Sequence, residues 1–250
     1  MADERQPQSF EAVPRHAQRF VDLIRSLSVD EVATPIPGMT WTVGEVAVHV
    51  LGVLGRYQPD FMWAPTRSAL ADMNAEQIAA HRATALDVSA IADEITGAIE
   101  LLGSVAPFIP LDTMVDFHLG LNVSMAAGWA NLIAEFFVHG HDIASATGRP
   151  WTIPGDEFEG FWHDLIPAGA GWLRPEARQV DEVYELRFPT GPPVTLWIRD
   201  AKITIDDAAR PADHVIAALD ASALALQFPY CRTIITDPAV ALLASRFYEI

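Results

Sequence analysis

The chain has 250 residues, half of them hydrophobic, which is enough for one large domain or two small ones with cores of their own. Its 33 Asp and Glu outnumber 16 Lys and Arg, and the formal net charge of −17 disfavours binding to nucleic acid or to an anionic membrane surface. We find no apolar run long enough to span a membrane and no secretory leader, and the single cysteine, Cys231, excludes an internal disulfide. We therefore expect a cytoplasmic protein.

Hydrophobic periodicity predicts a mainly helical first part, residues 1–150. Four long helices are expected at Ser9–Leu27, Val43–Tyr57, Asn74–Val105 and Asn122–Thr147. The loops are bounded by proline and glycine and not by alternating strands, so no sheet is expected here, although Asp112–His118 could be a short extended or irregular segment. Four long helices with one lengthy connection indicate a four-helix bundle.

The second predicted helix opens on a capping box and carries a histidine on an apolar face. Thr42 and Glu45 have the spacing of a reciprocal cap. His49 follows two turns later, among valines. A lone histidine in such a place is usually a core or boundary residue.

The fourth predicted helix carries Glu135 and His139, four residues apart, and ends at Gly148. This spacing places the two side chains on one face, about 5–6 Å apart at Cβ. The flanking residues are apolar, and an unpaired buried carboxylate is expensive. A Glu–His pair alone is more often a simple hydrogen bond, but a facing histidine such as His49 completes the arrangement that helix bundles use for metals.

Two segments carry a family resemblance. PGMTWTVGEVAVHV and, roughly ninety residues later, AEFFVHGHDIASATGRP resemble the mycothiol-dependent maleylpyruvate isomerase family, within the DinB-like four-helix metalloproteins. The resemblance implies that His49, Glu135 and His139 bind a divalent metal. It also implies a place for Trp41 at the cofactor site.

Three further residues are candidates near this site. The family usually carries tryptophan where this chain has His141. Residues two apart on a helix point about 200° apart, so His141 is not expected to bind the same metal as His139. We expect it to line the substrate pocket instead. Asp142 could orient a ligand histidine within the cofactor site, or be a cap or a surface charge. In the last part of the chain, where the family uses an arginine, Arg232 is the catalytic and cofactor-binding candidate. A guanidinium can bind a carboxylate through two parallel hydrogen bonds. The competing interpretation is an ordinary surface arginine.

After Pro150 the pattern changes to that of a small α+β domain, residues 151–250. Strands are expected at 183–188, Val194–Arg199, Lys202–Asp206 and 232–236, with a tight turn at Asp200-Ala201. Helices are expected at Phe158–Leu165, Ala212–Leu219 and Ala221–Gln227, and a last one capped by Asp237-Pro238. The order of elements resembles the sterol-carrier-protein-like domain that accompanies the bundle in this family.

The chemistry of the ligand set is that of an open catalytic site. Two imidazoles and one carboxylate suit zinc with a fourth position free, although nickel or another divalent ion also fits. Such a site can activate water or hold a thiol as thiolate. The resemblance selects mycothiol, the low-molecular-weight thiol of actinobacteria, whose thiolate attacks an electrophilic small molecule.

Several interpretations remain open. The leading one is a mycothiol S-transferase of specialised metabolism or detoxification, or a cis–trans isomerase of the maleylpyruvate type. The alternatives are a non-catalytic metal-binding regulator or small-ligand carrier, and a metal-dependent hydrolase. The expected partners are a small-molecule substrate and a thiol, with the chain as a monomer or homodimer. We interpret His16, His118, His163 and His214 as structural or solvated.

Overall fold

The computed structural model describes seven stretches of the chain: residues 10–57, 64–82, 87–152, 163–187, 193–206, 211–217 and 237–247. Their contacts divide the chain into two compact units, one of Gln8–Thr152 and the other mainly of Ile153–Ile250. The first unit is almost entirely helical and the second contains a small sheet. None of the helices in these stretches has both the length and the apolar character that a membrane span requires.

Four helices form the centre of the first unit. Its helices are α1 (Val13–Arg25), α2 (Val29–Val32), α3 (Val43–Gly55), α4 (Arg67–Arg82), α5 (Val88–Val105) and α6 (Met125–Thr147). Helices α1 and α3 each pack against both α5 and α6, and α4 packs on α3. Helix α6 is buried on nearly every side, as expected for the central helix of a bundle.

The long third helix expected from the sequence is instead two helices. Helix α4 starts at Arg67, earlier than expected, and α5 starts at Val88; residues 83–86 lie outside the described part. The side chain of Asp87 caps α5 by accepting a hydrogen bond from the amide of Ser89 at 2.9 Å. A capping aspartate favours a new helix start over an uninterrupted helix, and the periodicity across it concealed this boundary.

The expectation that the first unit contains no sheet is wrong. Strands β1 (Met114–Phe117) and β2 (Leu121–Ser124) form an antiparallel hairpin, so α6 begins at Met125 and not at Asn122. The chain reverses at Leu119 and Gly120, both with positive φ. Four-residue strands are too short to give a clear alternation in the sequence.

Helix α3 begins, and helix α6 ends, at the capping residues that the sequence predicts. The Thr42 amide donates to the Glu45 carboxylate at 2.8 Å, and the Glu45 amide donates to the Thr42 hydroxyl at 3.4 Å, which confirms the capping box of α3. At the end of α6, Gly148 has a φ of 68°, the left-handed conformation that stops many helices.

The second unit contains a four-stranded sheet in the order β5-β4-β3-β6. Its strands are β3 (Asp181–Arg187), β4 (Val194–Arg199), β5 (Lys202–Asp206) and β6 (His214–Ala217). The β3–β4 and β4–β5 pairs are antiparallel and the β3–β6 pair is parallel. Asp200 and Ala201 both have positive φ, as a two-residue hairpin of type I′ requires, which confirms the predicted tight turn.

Two other expectations for this unit can be compared with the structure. The helix expected at Ala212–Leu219 is wrong, because His214–Ala217 forms strand β6; hydrogen bonding to a sheet edge has overridden the helical preference of an alanine-containing segment. The last helix, α7 (Pro238–Ser245), is capped by Asp237 as predicted. The expected segments at 221–227 and 232–236, and most of that at 158–165, lie outside the described residues.

The indole ring of Trp151 packs against helix α6 at Gly140. The Nε1 of Trp151 donates to the carbonyl of Phe137 at 3.0 Å, and the guanidinium of Arg19 lies 4.9 Å from the centroid of the Trp151 ring. A Cβ on Gly140 would overlap this ring. Glycine at this position therefore lets the indole lie directly on the helix backbone.

We predict that Gly140→Ala lowers the free energy of unfolding by about 1–3 kcal/mol, because the new methyl group must displace the Trp151 ring. The matched control is Gly97→Ala on α5, where an added Cβ meets nothing within 4 Å. That variant should gain about 0.5–1 kcal/mol from better helix propensity. Urea unfolding at neutral pH measures both, and equal effects of the two substitutions would contradict the packing described here.

A buried histidine on α1 makes the fold sensitive to acid. His16 is 2% exposed and its ring lies 4.6 Å from that of Phe137. Burial, together with the nearby charges of Arg15 and Arg19, lowers the pKa of His16 to about 4. The folded chain therefore binds this proton less readily than the unfolded chain, whose histidine has an ordinary pKa near 6.5.

It follows that the stabilising contribution of His16 is present above pH 6.5 and is lost as the pH falls toward 4. We predict that His16→Leu reduces the loss of unfolding free energy between pH 7.5 and pH 5 by about 1–2 kcal/mol, because leucine has no proton that the unfolded chain binds more readily than the folded chain. Denaturant titrations of both proteins at the two pH values measure this difference. The same pH dependence in both proteins would show that His16 has no part in it.

Candidate metal centre

His49 is held inside the bundle by the rigid first turns of α3. It lies two turns after the capped start of the helix and is buried. Its Nε2 lies 3.5 Å from Oε2 of Glu135 on α6. The ring of Trp41 lies 5.0 Å from the imidazole, centroid to centroid. The imidazole therefore contacts both an indole and a carboxylate.

The second histidine reaches the same carboxylate oxygen from α6 itself. The Nε2 of His139 lies 3.1 Å from Oε2 of Glu135, and the rings of His49 and His139 meet edge to face with centroids 4.9 Å apart. One ligand atom from each of the three residues lies within 4.8 Å of the other two. The structure thus brings together His49, Glu135 and His139, from two distant segments of the chain.

The tautomer of His139 is set by a fourth residue. Its Nδ1 lies 3.1 Å from Oδ2 of Asp142, a carboxylate oxygen that accepts the N–H of the ring. Asp142 is one turn further along α6 and is buried. The lone pair of Nε2 is therefore available toward Glu135 once that nitrogen gives up its proton. Metal-binding histidines in proteins are commonly oriented in this way.

The electrostatics of the cluster keep the carboxylate charged. Burial alone would raise the pKa of Glu135, but hydrogen bonds from His139 and His49 outweigh it and the pKa is lowered. Burial lowers the pKa of His49 to about 4, against the pull of Glu135. Burial also lowers that of His139, but Asp142 and Glu135 outweigh it and raise the pKa to about 9. Two nitrogens and an anionic oxygen therefore point at one small volume.

These residues fit a divalent cation by the chemistry of their donor atoms. Three electron-pair donors facing each other repel unless a proton or a metal ion lies between them. Imidazole nitrogen and carboxylate oxygen are common ligands of zinc and of neighbouring divalent ions. The Nδ1 of His49 is buried and has no hydrogen-bond partner among the described residues, so Nε2 is the nitrogen it presents to the cluster.

The remaining candidates from the sequence lie in different places. Trp41 contacts the His49 ring and Asp142 contacts His139, so both are next to the cluster. His141 is half-buried, and its Nε2 lies 3.2 Å from the hydroxyl of Ser145, outside the group of three ligand atoms. Arg232 lies outside the described residues. A catalytic role for His141 or Arg232 stays a prediction.

The sequence analysis missed a second polar group inside the bundle. Arg56, immediately after α3, is 5% exposed, and its Nη1 lies 3.2 Å from Nε2 of His118. Its Nη2 donates to the side-chain oxygen of Asn74. His118, interpreted above as structural or solvated, is buried against this guanidinium. The available signal was the spacing of Arg56, seven residues after His49 and hence on the same helix face.

Comparisons with known proteins give a likeness in fold only. No protein-family model matches the sequence, and no curated protein matches it. Among solved structures, a mycothiol-dependent maleylpyruvate isomerase is similar with a TM-score of 0.49 and 9% identity, over 72% of this chain and 75% of that chain. A histidine-to-alanine mutant with the same description gives a TM-score of 0.48 and 12% identity over the same shares. At these values the likeness says nothing about the chemistry of this chain.

Proposed function

We propose that this chain is a divalent-metal enzyme that uses a small thiol, with His49, Glu135 and His139 as its protein ligands. The observation that carries the proposal is the convergence of three ligand atoms to within 4.8 Å inside a helical unit. The anionic carboxylate needs a positive charge beside it, and a divalent ion would supply that charge in place of the proton that His139 otherwise holds. Three protein ligands leave a position free for an exogenous molecule, as in catalytic zinc sites.

Each surrounding residue has a defined part in this proposal. Glu135 supplies the negative charge. Asp142 accepts a hydrogen bond from Nδ1–H of His139, so that Nε2 points at the ligand group. Trp41 packs its indole against the imidazole of His49, with ring centroids 5.0 Å apart. A bound divalent ion would supply the charge that keeps a thiol deprotonated at neutral pH.

For the thiol, we propose mycothiol, and zinc as the first choice of metal. The support is the pair of motifs that surround the ligands, Trp-Thr-Val before His49 and Val-His-Gly-x-Asp around His139. In an S-transferase, the thiolate forms a sulfur–carbon bond while a leaving group departs with its electron pair. In a cis–trans isomerase, it adds to a double bond, the resulting single bond rotates, and the sulfur–carbon bond breaks again.

The same motifs support a DinB-like assignment for residues 1–150. The sterol-carrier-like assignment for residues 151–250 is supported by the order of elements expected from the sequence and by the segment Tyr230-Cys231-Arg232. In that arrangement Arg232 is the proposed partner of a substrate carboxylate, and His141 the proposed pocket residue that replaces the usual tryptophan. The chain would then act in the cytoplasm on a small electrophile.

We predict that His49→Ala and His139→Ala abolish bound metal and, with it, the binding of mycothiol. Each substitution removes one of three protein ligands and leaves too few to hold a divalent ion. Elemental analysis after dialysis should fall from about one ion per chain to nearly none. Calorimetric titration with mycothiol, and with a simple thiol for comparison, should show no heat of binding in the same variants.

The matched control is His141→Ala, which removes a histidine two residues away that lies outside the ligand group. Its metal content should remain that of the unmodified protein. Full metal content in His49→Ala or His139→Ala would refute the ligand assignment. Binding of apolar ligands that is unaffected by metal removal would favour a carrier.

We predict that Asp142→Asn weakens metal binding by about 10–100-fold without abolishing it, because the amide no longer accepts strongly from Nδ1 of His139. Competition with a chelator of known affinity measures the change. The control is Asp93→Asn, whose carboxylate makes an exposed ion pair with Arg25 and should not affect the metal. An unchanged affinity in Asp142→Asn would exclude Asp142 from a role in orienting the ligand.

A further inference from the structure

Helix α4 is attached to α3 mainly through polar side chains. Among the described elements, α3 is the one on which α4 chiefly packs. Three side chains of α4 make hydrogen bonds or ion pairs to α3 or to the residue that follows it. The pairs are Arg82 with the Glu45 carboxylate, Gln77 with the Val48 carbonyl at 3.0 Å, and Asn74 with the Arg56 guanidinium.

These contacts place α4 beside the histidine that α3 contributes to the metal centre. Glu45 lies four residues before His49 and Arg56 lies seven residues after it, spacings that keep side chains on one face of a helix. The bond from Gln77 lies between them. Helix α4 therefore passes alongside His49 and forms one wall of the space around the three ligand atoms. In this arrangement His49 and His139 are both buried.

Little apolar surface holds α4 in this position. Only Leu70 and Ile78 of its 16 residues are buried, against ten of the 13 residues of α3. The Arg82 side chain is more than half exposed, so solvent screens its ion pair with Glu45. Hydrogen bonds to water replace polar contacts when a helix moves into solvent, and elements with few buried apolar contacts open at the lowest free energy. We therefore expect α4 to separate from the bundle more easily than α3.

A glycine of α3 lets α4 approach closely. A Cβ on Gly52 would overlap the carboxamide of Gln77, so this side chain lies directly on the backbone of α3. On Gly55, three residues further along the same helix, an added Cβ would meet nothing within 4 Å. The two glycines are therefore a matched pair of positions, of which only the first contacts α4.

We propose that α4 is a movable wall, which separates from α3 for short periods and so gives metal ions and small thiols access to the group of His49, Glu135 and His139. This inference rests on the proposed function, because it takes these three residues to hold the metal. A wall of this kind changes the rates of entry and exit by the same factor. It leaves the affinity unchanged, because the bound state has the same ligands whether or not the wall opens easily.

The first test loosens the contact between the two helices. Gly52→Ala should displace Gln77 from α3, and Gly55→Ala is the matched control. Hydrogen exchange read by mass spectrometry should show the α4 amides exchanging about tenfold faster in Gly52→Ala, as expected for the loss of one hydrogen bond, and at the original rate in Gly55→Ala. Zinc uptake by the metal-free chain and zinc removal by excess chelator should accelerate by the same factor, with the dissociation constant unchanged.

The same pair of variants tests the entry of a thiol. Each chain is loaded with cobalt, and the association of 2-mercaptoethanol is followed by the absorption of the cobalt–thiolate bond in a stopped-flow instrument. Association should be faster in Gly52→Ala than in Gly55→Ala or the unmodified protein.

The second test locks the contact. Because the end of the Gln77 side chain reaches the position of a Gly52 Cβ, cysteines at both positions are close enough for a disulfide. The double variant Gly52→Cys and Gln77→Cys also carries Cys231→Ser, which removes the single native cysteine. Oxidation should slow zinc uptake and zinc removal about tenfold or more, and reduction by a phosphine should restore both rates. Since oxidised and reduced forms of one protein are compared, this test does not depend on the stability of Gly52→Ala.

Three results would overturn the proposal. Zinc rates that are equal in Gly52→Ala, Gly55→Ala and the unmodified protein would place the entry route elsewhere. Zinc rates that do not respond to the disulfide would lead to the same conclusion. A changed dissociation constant with unchanged uptake would make α4 a support for the ligand geometry and not a movable wall.

Metal content and mycothiol binding of the unmodified protein judge the proposed function separately. If both are normal and the α4 variants change neither rate, this inference fails alone. If metal binds but thiols do not, the thiol chemistry fails and the zinc rates still decide the role of α4. If no metal binds, the proposed function and this inference fail together.

Discussion

The carboxylate of Glu135, flanked by two imidazoles in an apolar interior, is the interaction on which the first unit depends. Moving an ionised carboxylate out of water costs several kcal/mol unless charges or hydrogen bonds replace the lost hydration. His49 and His139 supply these contacts from α3 and α6. The two helices must therefore stay in register, since a shift of one turn would leave the carboxylate without its partner on α3.

Helix α6 meets this constraint because it is central and uninterrupted. Glu135, His139 and Asp142 occur at positions i, i+4 and i+7, so one face of a 23-residue helix carries the carboxylate, the imidazole and the group that orients it. Apolar residues on its other faces pack against α1 and α3. Trp151 covers the backbone at Gly140, next to His139, so the helix is packed closely on the side away from the ligands as well.

Local signals made much of this arrangement predictable. The capping box at Thr42, the stop at Gly148 and the turn at Asp200-Ala201 each depend on a few adjacent residues, and the structure contains all three. Features that depend on tertiary pairing were not predictable. The hairpin of β1 and β2 and the strand at His214–Ala217 exist because of their hydrogen-bonded neighbours, which periodicity does not reveal. The neighbours of Glu135 could be predicted from residue spacing. The burial of Arg56 could not, because it depends on how α4 and the β1–β2 hairpin pack around the end of α3.

The capped start of α3 has a consequence for the position of His49. Because an α-helix neither stretches nor bends easily over two turns, the direction in which the imidazole projects is set by the residue at which the helix begins, and the reciprocal hydrogen bonds of Thr42 and Glu45 fix that residue. A start displaced by one residue would rotate the ring by about 100° away from Glu135. The cap therefore acts at a distance on the geometry of the cluster.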